Sequence, residues 1–225
     1  MPSGSSVRRR AFIGGEKLFR DAELLANPSR TAKTLLLETM KNPVESLLED
    51  DHVSLGQLLT ELDAELSKPN FASAFELLDL FWARLAIHIR AENLHLFPAL
   101  ANALAPRFAG KGGLPTPEEV QNVLARLRSD HDFFMKELAL TIRTMRGIAG
   151  SQETHLEEVE NLRQRLATIA KRLELHNRLE EKQAYTWPAL LFDEQEIAAL
   201  RARIAHELEN IPPRFAKNPE VNFDR

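Results

Sequence analysis

Histidine and glutamate recur in this sequence at a spacing that can do chemistry. His88 and Glu92 are four residues apart, and so are His176 and Glu180. A separation of four places both side chains of a pair on one face of an α-helix, with Cβ atoms about 5–6 Å apart. Ahead of each pair stands one more histidine, preceded by aspartate: Asp51-His52 and Asp130-His131. His52 lies on an apolar stripe, with Leu48 four before it, Leu55 three after and Leu59 seven after. His131 lies in the same way among Leu127, Phe134 and Leu138. A Pro-Ala-Leu follows each pair, in Phe97-Pro98-Ala99-Leu100 and in Trp187-Pro188-Ala189-Leu190.

The layout is therefore doubled, as two helical hairpins with the same order of groups. A pseudo-twofold axis between them would bring four histidines and two glutamates together in the interior. Two carboxylates facing a core are costly if ionised and unpaired. A pair of divalent cations compensates them, with neutral imidazoles filling further positions. Imidazole and carboxylate together suit iron, manganese or zinc, and the lack of thiolate argues against copper(I). Two carboxylates bridging two metals leave room for a bridging hydroxide and an open position. Any one of these histidines alone reads as a core residue satisfied by a hydrogen bond; the joint arrangement favours metal. Asp51 and Asp130 sit about 100° around the helix from their histidines, so they read as partners of ligands or exposed charges. His155 and His206 lack a carboxylate at ligand spacing and read as surface residues. Phe81, Trp82, Phe133, Phe134 and Trp187 read as core packing that could shield the site from water.

The elements that must position these groups are helices. The first begins at Asn42-Pro43, an N-cap followed by proline, with Glu45 completing a capping box. Its apolar stripe runs through Val44, Leu48, Leu55, Leu59, Leu62 and Leu66. The second spans about 70–104, with Leu77, Phe81, Leu85, Ala91 and Ala99 on one face. The third opens at Thr116-Pro117-Glu118-Glu119, another capping box, and carries Leu124, Leu127, Phe134, Leu138 and Ile142. The fourth spans about 151–185, through Leu162, Ile169, Leu173 and Leu179. A shorter fifth begins at Asp193, with Glu196 at the box position, and ends before Pro212-Pro213. No segment alternates as a strand does. The expectation is an all-α, up-down four-helix bundle over residues 41–192. An irregular N-terminal leader covers 1–40, and an extra C-terminal helix with its tail covers 193–225.

Composition narrows the function classes. The 225 residues are 44% hydrophobic and 28% charged, which suits long amphipathic helices in one domain. There is no cysteine, which excludes disulfides, thiolate metal sites and iron–sulfur clusters. The net charge is −4 and the one basic run is Arg8-Arg9-Arg10, read as a solvated tail, so no nucleic-acid partner is expected. No apolar run nears the roughly 18 residues of a membrane span, and Ala11-Phe12-Ile13 is too short for a signal peptide. These features predict a soluble, cytoplasmic protein without a membrane partner. The apolar face of the fifth helix would allow a homodimer.

The ordered set His52, His88-Ile-Arg-Ala-Glu92, His131, His176-Asn-Arg-Leu-Glu180 resembles the pattern of the hemerythrin-like, or HHE cation-binding, family. The resemblance covers roughly residues 40–190. It implies a non-haem diiron centre, two irons per chain, that binds dioxygen or nitric oxide or senses iron or redox state. Oxygen-carrying hemerythrins have a fifth histidine one turn after the third-helix one, and here that place is Met135, a poor ligand for hard iron. The resemblance therefore points to a sensor or redox protein sooner than an oxygen carrier. His95 is a candidate replacement ligand, seven after His88 and three after Glu92. Oxygen carriers also place the last carboxylate five residues after the histidine, which makes Glu181 an alternative to Glu180. Tyr185 reads as core, or as a hydrogen-bonding or redox-active neighbour of the site. A diiron oxidase or peroxidase, and a metal-free helical interaction module that docks through the leader or the fifth helix, are the other function classes.

Overall fold

The computed structural model describes residues 41–68, 71–103, 114–149 and 156–216, and among them every regular element is helical. The leader expected over 1–40 lies outside the described residues. The elements are α1 (Pro43–Leu66), α2 (Phe71–Ala91), α3 (Phe97–Ala103), α4 (Pro117–Ala149), α5 (Leu156–Leu179), α6 (Trp187–Leu191), α7 (Glu194–Leu208) and α8 (Pro213–Ala216). Two π-turns, Glu92–Leu96 and Glu180–Ala184, interrupt the helical runs that start with α2 and α5.

The helix starts follow from capping chemistry. Asn42 Oδ1 accepts from the amides of Val44 and Glu45, and Glu45 Oε2 accepts from the Asn42 amide at 3.3 Å. Thr116 and Glu119 exchange the same pair of bonds at the start of α4, and Asp193 and Glu196 do so at α7. Each box satisfies amides that the first helical turn leaves without partners.

The long helices pack in a ring: α1 against α2, α2 against α4, α4 against α5, and α5 back against α1. Neighbours run antiparallel. His52 near the start of α1 faces Glu180 beyond the end of α5, and Ser67 at the end of α1 meets Arg163 near the start of α5. The C-terminal helix α7 lies over α1, α2 and the first π-turn. The helix period resumes at α8, because Pro213 is tolerated at a first helical position.

The apolar interior forms two clusters. One contains Leu55, Leu62, Phe81, Phe134, Leu138 and Ile169; the other contains Val44, Leu48, Phe97, Leu127, Tyr185 and Leu200. The buried histidines and glutamates belong to neither cluster. Their helical neighbours do: on α1, Leu48 lies in the second cluster, His52 follows, and Leu55 lies in the first. The polar groups thus form a layer between two apolar halves. Among the described residues, no helix is long and apolar enough to cross a membrane.

Candidate metal centre

The π-turns decide what points into the layer. A π-turn holds one more residue than an α-turn, so residues beyond it lag by about 100°. Both turns lie where a proline interferes. Pro98 and Pro188 cannot donate to the residue four before them, and their rings crowd its carbonyl. Those residues, Leu94 and Ala184, fall inside the two turns. The wider turn takes up the conflict. The amide of Phe97 bonds the carbonyl of Glu92, and the amide of Tyr185 bonds that of Glu180 at 2.9 Å.

In an unbroken α-helix Tyr185 would stand about 140° from Glu180. The lag returns it to the site, where it is fully buried. His95 is turned the other way. It is half-buried with Nε2 3.7 Å from Glu207 of α7, which Arg90 also binds. The structure does not bring His95 to the cluster, and the reason is this change of phase.

The six other positions singled out by spacing come together. His52, His88, Glu92, His131, His176 and Glu180 are all buried, with both glutamates fully enclosed. Two groups of donor atoms result, each within 4.8 Å: Glu92, His131, His176 and Glu180 in one; His52, His88 and Glu180 in the other. The carboxylates reach both halves. Glu180 Oε1 is 3.1 Å from His176 Nε2, and its Oε2 is 3.3 Å from His52 Nε2. Glu92 Oε2 is 3.2 Å from His131 Nε2 and 3.6 Å from His88 Nε2. Glu181, the other candidate carboxylate, stands behind His52 instead, with Oε1 3.0 Å from Nδ1.

The aspartates of the doubled Asp-His serve the neighbouring helix. Asp51 Oδ2 is 2.9 Å from His88 Nδ1, and Asp130 Oδ2 is 3.5 Å from His176 Nδ1. The Asp51 carboxylate behind His88 fixes the tautomer and aims the opposite nitrogen into the site, whereas Asp130 lies beside His176 Nδ1 without a hydrogen bond to it. Arg84 and Arg172 grip the other oxygen of each aspartate, at 2.5 Å and 2.8 Å. These arginines were missed in the sequence, although each stands four before its histidine. The full repeat is Arg-x-x-x-His-x-x-x-Glu.

Charge balance explains the protonation. Burial alone would lower the pKa of His52, but the carboxylates of Glu180, Glu181 and Glu92 outweigh it and raise the value to about 10. His176 is raised as well, since Glu180, Glu92 and Asp130 overcome its burial. Glu180 is held well below the usual carboxylate range: burial opposes this, and His176 and His52 prevail. Burial would raise Asp51, yet His88 and Arg84 hold it low.

Several buried atoms of the cluster have no hydrogen-bond partner: Glu92 Oε2, Glu180 Oε1, His176 Nδ1 and both ring nitrogens of His131. Leaving such a group unsatisfied costs about 1–3 kcal/mol. His131 Nε2 and Glu92 Oε2 are close enough to bond, yet they aim past one another. Donor atoms converging on a shared point, all nitrogen and oxygen, fit a cation of the iron, manganese or zinc type.

The family model for the hemerythrin HHE cation binding domain matches residues 44–188. The chain belongs to this family. The match spans all six clustered residues and both π-turns, and ends on Pro188. Searches among curated proteins and among solved structures returned no match. Hemerythrin HHE membership and the buried histidine–glutamate cluster together mark the chain as a binder of metal cations.

Proposed function

We propose that this protein holds a non-haem diiron centre inside an up-and-down four-helix bundle and uses it to sense dioxygen, nitric oxide or redox state. The observation that carries the reading is the pair of donor groups sharing Glu180, with unpartnered carboxylate and imidazole atoms facing inward. Two adjacent groups support two ions. Imidazole and carboxylate donors without thiolate favour iron over copper(I). Bound iron would supply a site for a diatomic ligand and a one-electron couple.

The chain's own residues supply the rest. Asp51 orients His88, Asp130 sets its charge beside His176, and Arg84 and Arg172 keep those aspartates in place. Phe97 stacks on His131 at 5.6 Å, and Phe134 meets His176 edge-on at 5.3 Å, which keeps water from the imidazoles. Met135 packs against the first apolar cluster, so the position that carries a fifth histidine in oxygen carriers adds packing here. That substitution argues for sensing over carriage.

Metal analysis of anaerobically purified chain, followed by absorption spectra as oxygen enters, tests the proposal. About two irons per chain, and a charge-transfer band that grows with oxygen, are expected from one ion in each donor group. H88A and H176A should each lose iron. Chain incubated with iron that takes up none, or shows no band, overturns the reading.

A further inference from the structure

The two donor groups differ in size: four residues in one, three in the other. The smaller, His52, His88 and Glu180, has a further oxygen beside it. The hydroxyl of Tyr185 lies 3.0 Å from His52 Nε2, 3.4 Å from His88 Nε2 and 3.1 Å from Glu180 Oε2, and donates to Glu92 Oε1 at 2.6 Å. Ligands bound at about 2.1 Å to one cation lie about 3.0–3.4 Å from each other, from right-angle to tetrahedral geometry. The phenol oxygen is therefore spaced from its neighbours as a fellow ligand is. The two histidine nitrogens are spaced likewise, 3.2 Å apart.

The repeat offers an internal control. Tyr185 is five residues after Glu180, and the residue five after Glu92 is Phe97. Both follow a π-turn and both are fully buried. In the half that already has four donors the ring carries no oxygen and stacks on His131; in the half with three it carries one. Packing alone asks for an aromatic ring at either place. A buried hydroxyl among two imidazoles and two carboxylates is a further chemical requirement.

We propose that Tyr185 is the fourth protein ligand of the metal held by His52, His88 and Glu180. This rests on the diiron reading above. As the ion enters, the phenol gives up its proton to solvent and its oxygen binds the metal as phenolate. Phenolate bound to ferric iron absorbs in the visible and shows ring modes in resonance Raman spectra.

Tyr185 is the only tyrosine in the sequence, so any such signal belongs to it. The test is resonance Raman of the full-length, ferric-loaded chain, prepared with ordinary and with ring-deuterated tyrosine. Phenolate modes that shift with the label are expected. Y185F should abolish them while iron stays at or above half of the wild-type content. Full iron loading without label-sensitive modes overturns the proposal and leaves the diiron centre standing. Modes that persist in Y185F overturn it too. Failure of the wild-type chain to take up iron removes both readings.

Discussion

Glu92 and Glu180 are fully buried, and ionised carboxylates in such a place need countercharge. In the metal-free chain His52 supplies part of it. Its pKa is raised from 6.5 to about 10 by Glu180, Glu181 and Glu92. A group whose folded value lies above its unfolded one contributes fully below the unfolded value, and the contribution is lost as pH rises through the folded one. Metal-free protein should accordingly lose stability between pH 6.5 and about 10. Urea denaturation midpoints across that range test this, and an unchanged midpoint counts against it. H52Q should flatten the trend. The six clustered residues were legible in the sequence because a spacing of four on an α-helix fixes a shared face for each His–Glu pair, and an apolar stripe gives His52 and His131 an inward phase. Arg84 and Arg172 stand one more step of four along the same faces and were missed, because a lone arginine on a helix ordinarily reads as a solvated charge. The different places of Glu180 and Glu181 were not legible, since both spacings occur on helices and only the fold buries Glu180 and leaves Glu181 behind His52.

At the scale of elements, the proline of each Pro-Ala-Leu could be read in the sequence, but its effect on the turn before it could not. His95 and Tyr185 follow from that turn. One leaves the site and the other enters it, and α-helical phase misplaces both. The second π-turn is also tied to α1. Asn42, whose side-chain oxygen caps α1, donates from Nδ2 to the carbonyl of Tyr185 at 2.8 Å, a bond spanning 143 residues. N42A removes both roles. It should destabilise the chain by about 1–3 kcal/mol, a cap plus one buried hydrogen bond. N42S keeps a capping oxygen and loses the Nδ2 bonds to the Tyr185 carbonyl and to Glu45 Oε2, so it should cost less. Chemical denaturation of both variants checks the order, and equal losses would show that the capping oxygen contributes nothing. Helix starts at Asn42, Thr116 and Asp193 were legible because capping is local. The lie of α7 over α1 and α2 depends on tertiary contacts such as Arg90 with Glu207 and had no local signal.

Across the whole molecule, the doubled hairpin was legible as a repeat, and the ring of long helices realises it. Dividing the apolar interior into two clusters with an ionisable layer between them has a consequence for how the chain breathes. Helices ordinarily open from their ends, and amide hydrogens there exchange soonest. Here each long helix borders, at the level of the polar layer, groups that seek water whenever the cation is gone, while Leu62 and Phe81 on one side and Leu48 and Leu127 on the other stay in apolar surroundings. Deuterium should therefore enter the chelator-treated protein at the waist. Amides around His52, His88, His131 and His176 should exchange ahead of those near Leu62 and Leu138, and metal should reverse that order. An exchange map that runs inward from the helix ends in both states would show the waist to be as tight as the halves it joins.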